Sequence, residues 1–457
     1  MIERLRASLS APKDPAGLVA FRVALGVIVS VSALRFIAYG WIDELFVQPT
    51  FCFKYWGFSW VRPMSGPGMV AVFVAMAALG ACFAAGLFFR AVSVILFALF
   101  AYVQLIDVTN WLNHYYLVGL LLLLACFMPL GRAWSLDAML FPRSRLDVFP
   151  AWCTYLLRFQ VGVVYVNAGL AKATGDWLVH AQPLNIWLSA RTGIAGPAAH
   201  LFDERATAYL FSWGGFLFDT TIVLFLLWRR TRMWAYAVVI AFHLITWLLF
   251  PIGMFPFIMV SAALVFMDAE WPRRLLKRPA SPSSAGQRSR PARWQLAFAA
   301  AFCLLQVLVP LRHHLYGGNV LWHEQGMRFA WKVMVREKNG SIVYVASSKK
   351  ASRTFYVNPR RYLTDRQERE LSSQPDLVLQ LAHHVADDFR AKGYDDVTVS
   401  ADAVVSLNGR SAARMIDPDV DLSRVEDGLG KAAWILPEPG GPPIHLRPAW
   451  RARVASR

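Results

Sequence analysis

The sequence predicts an α-helical polytopic membrane bundle of about nine spans, followed by a mixed β-rich domain outside the membrane. Three observations carry this reading. Hydrophobic residues make up 56% of the 457 positions and charged residues only 17%, whereas a soluble domain has about a quarter charged. Apolar runs close to the length of a bilayer crossing, about 20 residues, recur from Ala16 to Leu311, with Arg and Lys collected between them. After Leu311 these runs stop and short alternating segments replace them. The expected boundary therefore divides a transmembrane part, residues 1–311, from an outer part, residues 312–457.

Taken in order, the expected spans are roughly Ala16–Ile37, Gly68–Phe89, Ala91–Val108, His114–Pro129, Ala151–Ala171, Ala208–Trp228, Met233–Phe250, Met254–Met267 and Trp294–Leu311. The basic lead MIERLRASLSAPKDP precedes the first, which reads as a retained span because no small-residue cleavage site follows it. An aromatic loop, Trp41–Gly66, suits the membrane–water boundary. Spans two and three meet at Arg90 in a tight turn, and the eighth is short for a crossing. An Arg-, Pro- and Ser-rich linker, Glu270–Arg293, leads to the ninth.

In the outer part, Met327–Val335 and Ser341–Ala346 alternate as strands do, with the hairpin dipeptide Asn339-Gly340 between them. Arg353–Val357 reads as a third strand, Asp376–Lys392 as a helix, Asp396–Leu407 as a further strand, and Pro437–Pro443 as an irregular tail. About 145 residues are enough for a separate core.

The formal charge of +17 could suggest nucleic acid. The basic residues instead cluster between spans, and no recognition motif accompanies them, so membrane lipid is the expected partner and nucleic acid is not. Placing the N-terminus in the cytoplasm puts Arg90, Arg132, Arg143, Arg145, Arg229–Arg232 and the basic linker on the inner side. The outer part then faces the periplasm or lumen. Five cysteines without a CxxC pair indicate neither a metal site nor a disulfide framework.

On this topology His114 opens the fourth span, Lys172 closes the fifth, His243 lies about two turns inside the seventh, and His313 follows the ninth, all toward the outer face. Alone, Lys172 reads as an interfacial anchor and each histidine as a structural one. Four helices delivering titratable groups to one layer argue for a site, because intramembrane ionisable groups are costly to keep.

The chain resembles the vitamin K-dependent gamma-glutamyl carboxylases and their bacterial relatives with the horizontally transferred transmembrane domain. The resemblance runs through DPAGLVAFR (Asp14–Arg22), TNWLNHYYLVGLL (Thr109–Leu121), AGLAKATGDW (Ala168–Trp177) and WGG (Trp213–Gly215). It continues through FHLITWLLFPIGMF (Phe242–Phe255), EWPRRL (Glu270–Leu275), FAWKVM (Phe329–Met334) and LNGRSAARMIDPDVDL (Leu407–Leu422). It implies that Lys172 is the base that deprotonates reduced vitamin K, assisted by His114 and its neighbour Asn113. It also implies that His243, with Trp177 and Tyr165 as walls, holds the quinone, and that His313 and Trp331 lie on the substrate side.

The implied cofactor is reduced vitamin K (a phylloquinone or menaquinone hydroquinone), with oxygen and carbon dioxide as co-substrates. The implied partner is a glutamate-containing protein or peptide. A glutamate γ-proton is too weakly acidic for any side chain to remove, so the family obtains a strong base from hydroquinone oxidation. The lysine must then be a neutral amine, which loss of solvation favours. Asp176, four positions on from Lys172, is a complication, because pairing with it would favour the charged form.

The chain also departs from the family. The long C-terminal region of animal carboxylases is absent, and no cysteine follows Cys303 to pair with Cys52. The family's GYSW segment reads Arg328-Phe329-Ala330-Trp331. Two other readings stand beside the carboxylase: a quinol-oxidising, epoxide-forming membrane enzyme without carboxylation, and a non-enzymatic scaffold or transporter.

Overall fold

A computed structural model of the chain describes residues 2–190, 199–279 and 291–444. Among the described residues, nine apolar helices stand where the nine runs are. They are α1 Ala16–Ala38, α2 Gly66–Ala85, α3 Phe89–Leu105, α4 Asn113–Phe127, α5 Ala151–Lys172, α6 Arg205–Leu227, α7 Arg232–Leu249, α8 Phe255–Ala263 and α9 Arg293–Leu311. Among the described residues, α1, α2, α6, α7 and α9 are long and apolar enough to cross a membrane, which marks an integral membrane protein.

The expected count of about nine spans is not confirmed. Helices α3, α4 and α8 are shorter apolar helices. Helix α5, at 22 residues, is long enough but carries Arg158, Gln160, Asn167 and Lys172. Its position explains that polarity. Helix α5 packs against α6, α8 and α9 and buries residues along its whole length, so neighbouring helices rather than lipid meet its polar groups. Arg158 Nε, for example, donates to the carbonyl of Val265 at 2.7 Å, and Nη2 donates to those of Phe266 and Met267 at 3.1 and 3.2 Å, all just beyond α8.

Small residues set the tightest crossing. A Cβ on Gly26 of α1 would lie 2.6 Å from the Ala84 amide and the Gly80 carbonyl of α2, so the two backbones touch where only glycine fits. The α2–α3 turn lies not at Arg90 but at Gly86 and Phe88, both left-handed, and Arg90 sits in the first turn of α3. Arg22, in the DPAGLVAFR block, is buried and donates to the carbonyls of Ala84, Leu130, Ala133 and Trp134 at 2.7–3.2 Å. Asp14 of the same block accepts from Arg273 of EWPRRL at 2.6 Å. Both blocks thus tie helix ends together far from Lys172 in sequence.

The outer region contains a four-stranded antiparallel sheet and a covering helix. The strands are β1 Lys338–Ser348, β2 Arg353–Val357, β3 Thr398–Leu407 and β4 Ala413–Arg414, in the order β2-β1-β3-β4. Helix α10, Pro375–Ala391, packs against β3 and β1. Every second residue of β3, from Val399 to Leu407, is buried, the period expected when one sheet face is covered.

Two strand expectations fail. Asn339-Gly340 is not a turn: it lies inside β1, with Asn339 opposite Ser406 and Gly340 opposite Val405. A Cβ on Gly340 would meet the Ser372 carbonyl at 2.9 Å and the Val404 carbonyl at 3.0 Å, so close backbone approach, not a turn, requires glycine there. Met327–Val335 is not a strand but an irregular segment. Phe329, Trp331 and Met334 have φ of 66°, 55° and 50°, left-handed values that bulky residues adopt only when packing over-determines them. Nor does its burial alternate: Ala330, Trp331 and Val335 are buried and the residues between and before them are half-buried.

Candidate active site

Helix α5 ends at Lys172, and its last turns run against α6. A Cβ on Gly169 would lie 2.6 Å from Thr220 Cγ2 and 2.9 Å from the Thr220 amide nitrogen, so Gly169 permits the two backbones to meet beside Asp219. One turn later Lys172, only 5% exposed, places Nζ 2.8 Å from Asp219 Oδ2, with Asp219 itself 6% exposed. The ammonium also donates to the carbonyls of Ala168 at 3.2 Å and Val333 at 3.4 Å. It lies 5.2 Å from the centre of the Trp177 ring, within cation–π range. Trp177 is fixed in turn by its indole N–H, which donates to the Ser212 carbonyl of α6 at 2.8 Å.

The effect of Gly169→Ala follows from this contact. The added methyl meets backbone, which cannot rotate away, so α5 and α6 must separate. The expected cost is about 1–3 kcal/mol, read as a lowered thermal unfolding midpoint. An unchanged midpoint would show that the helices have slack at this crossing.

Two turns back along α5, the Tyr165 hydroxyl is 3.1 Å from His243 Nε2. His243 Nδ1 is buried without a partner. Phe218 stacks on Phe242 at 3.8 Å and Phe255 lies 5.4 Å from the His243 ring. Tyr165, Phe242, His243 and Phe255, with Lys172, Asp219, Trp177, Phe250, Val333 and Met334, line a narrow cavity of about 80 Å3. Its walls are aromatic and aliphatic apart from one amine, one carboxylate, one imidazole and two hydroxyls, those of Tyr165 and Thr246.

A second cavity, of about 460 Å3, contains Asn113 and His114 with Arg35, Glu44, Trp41 and Arg366. Phe255, Val333 and Met334 line both cavities, and the Phe255 ring lies 5.9 Å from the His114 ring. The irregular segment of the outer region therefore forms a partition between Lys172 on one side and His114 on the other. Trp331, three residues before Met334, is fully buried and stacks on Tyr116 at 4.8 Å, which anchors that partition to α4.

Lys172, Tyr165, Trp177 and His243 thus share one cavity, and Asn113 and His114 occupy the adjoining one. His313 lines neither; its Nδ1 is 2.8 Å from the Pro310 carbonyl and its backbone packs against Gly326. Asp176 does not meet Lys172. It accepts from Arg410 at 2.6 and 2.7 Å and from Asn408 at 2.9 Å, both in the LNGR segment of the outer region. Burial pushes the Asp176 carboxyl up, but these hydrogen bonds outweigh burial and hold it below the ordinary carboxylate value.

The sequence reading missed Asp219, Arg410 and the Val333–Met334 backbone. Asp219 carried a signal: it is an acid inside the apolar run Ala208–Trp228, and an intramembrane ionisable group calls for a partner.

Comparison with known proteins finds two family models along the chain, and the second begins before α9 rather than after Leu311. Residues 10–271 match the family model described as HTTM domain. Residues 291–440 match that of the vitamin K-dependent gamma-carboxylase lumenal domain. No solved structure matches the chain. With the HTTM model covering more than half of its residues and the lumenal model following directly, the chain belongs to the vitamin K-dependent gamma-carboxylase family.

Proposed function

We propose that this protein is a membrane carboxylase that couples oxidation of reduced vitamin K to carboxylation of glutamate side chains in a protein or peptide. The observation that carries the reading is the buried Lys172–Asp219 pair in an otherwise largely apolar chamber within the helices. The chamber's donor set fits a reduced quinone: an amine, an imidazole atom without a partner and aromatic walls. At about 80 Å3 it is narrow for a two-ring head group. Met334, unbranched and at the partition, is the wall most free to yield.

Bound there and oxidised by oxygen to the epoxide, the cofactor supplies the strong base that glutamate deprotonation requires. The chain's own part is proton handling and exclusion of water. Lys172 Nζ accepts the hydroquinone proton once its own proton has moved across 2.8 Å to Asp219 Oδ2. That transfer converts an ion pair into two neutral groups and brings no net charge into the chamber, which a low-dielectric site favours. Trp177 and Phe250 keep bulk water from the amine. His243, tied to Tyr165, orients the quinone through Nδ1, and His114 and Asn113 act from the adjoining cavity, where carbon dioxide and the glutamate side chain meet.

His313 and Trp331 take outer, substrate-side positions in this reading, with Trp331 supporting the partition. The N-terminus is cytoplasmic and the sheet-bearing region periplasmic or luminal, which the basic clusters between helices support.

The decisive experiment supplies purified protein with reduced vitamin K, labelled bicarbonate and a glutamate peptide. Label in the peptide together with vitamin K epoxide is the expected result. Epoxide without peptide label would select the quinol oxidase reading. Neither product from folded protein would sink the proposal.

A further inference from the structure

The cavity beside His114 contains two guanidinium groups that the reaction scheme above does not use. Arg35 comes from the last turn of α1, and Arg366 from the outer-region helix Asp365–Leu371. They reach one space from the helical part and from the outer region. Neither forms an ion pair with a carboxylate within the described residues. Arg35 lies 5.3 Å from the Trp41 ring and 5.7 Å from the Tyr39 ring. Among the described residues, Arg366 makes a long contact, 3.4 Å, to the Thr109 carbonyl, and its Nε is buried with no partner. The one acidic residue in the lining, Glu44, is exposed.

Both side chains are half-buried, so water still reaches them in part, but the buried Arg366 Nε is a donor that an anion in the cavity would satisfy. A planar fork of N–H donors is best completed by a planar, two-oxygen acceptor. The far wall of the cavity, formed by Phe255, Val333 and Met334, separates it from Lys172. An anion held by the two arginines therefore lies in the compartment next to the base.

We propose that the cavity beside His114 is a carboxylate site, with Arg35 and Arg366 as its recognition groups. The carboxylate has two sources: the γ-carboxylate of a peptide glutamate, which is the substrate in the reading above on which this inference rests, or free bicarbonate. Both present the same two-oxygen face to the arginines.

The test is equilibrium binding to the full chain in lipid nanodiscs, without quinone. The probes are a blocked Ala-Glu-Ala peptide, its Ala-Gln-Ala counterpart and sodium bicarbonate. The glutamate peptide is expected to bind about tenfold or more tightly than the glutamine peptide, the value of one charge-assisted hydrogen bond. Arg366→Gln and Arg35→Gln are each expected to remove that difference, and Arg366→Lys to restore part of it. Thermal midpoints of all variants confirm that they fold.

Arginine-dependent binding of bicarbonate, with no preference between the peptides, keeps the site and assigns it to bicarbonate. Binding of no probe, or binding that both arginine variants leave unchanged, overturns the proposal. Epoxide formation by the same preparation separates the two readings. Intact epoxidation with no arginine-dependent binding rejects only this site. Arginine-dependent binding without epoxidation rejects only the vitamin K chemistry.

Discussion

Lys172→Met is expected to lower epoxide formation by about 10²–10⁴-fold, the usual contribution of a positioned base. It should also destabilise the fold by about 3–5 kcal/mol. The second effect arises because Asp219, 6% exposed and 2.8 Å from the amine, is left as a buried carboxylate without its cation. A single variant therefore confuses loss of chemistry with loss of structure. Lys172→Met combined with Asp219→Leu separates them, since replacing both partners of a buried pair by apolar groups of similar volume is often neutral. The double variant should recover the thermal midpoint and remain inactive. Recovery of activity along with stability would show that Lys172 serves only the fold.

Arg410→Ala should cost about 3–5 kcal/mol, because it strands Asp176 beneath the outer region. The side chains are 14% and 11% exposed, so solvent screens the pair little. This contact joins the loop after α5 to the segment after β3, and it therefore couples the helical part to the sheet. Its pH dependence follows from the direction of the Asp176 shift. The folded-state value is lowered, so the contribution is complete above the unfolded value, about 3.9, and is lost as pH falls through the folded-state value.

Thermal midpoints measured down the acid limb should thus fall for the native chain, and Arg410→Ala should lack that component. The exchange Asp176→Arg with Arg410→Asp should recover part of the loss. An exchange no better than either single change would mean that the pair does not hold the two regions together.

The helix limits were legible because apolar runs of bilayer length leave few alternatives, and expected and observed ends differ by only a few residues along most of the bundle. Lys172 was legible because a cation ending an apolar run is conspicuous. The outer strands Arg353–Val357 and Thr398–Leu407 and the helix Pro375–Ala391 were legible from their periods. Periodicity failed at Met327–Val335, where an alternating sequence forms an irregular segment with left-handed residues rather than a pleated strand. The hairpin dipeptide failed because Gly340 has a second use, close approach to a neighbouring backbone.

The site shows the same division more sharply. The sequence by itself determined a membrane bundle and the helix that ends at Lys172. Only the tertiary structure decided their partners. Asp176 is four positions from Lys172, but the helix stops at Ala173, whose ψ is 58°, and the chain turns Asp176 toward Arg410. Asp219, 47 positions away, reaches the amine because Gly169 lets α5 and α6 touch. Spacing along a chain fixes the faces of one helix. It does not fix how a second helix is rotated against it, and that rotation selected the carboxylate that Lys172 meets.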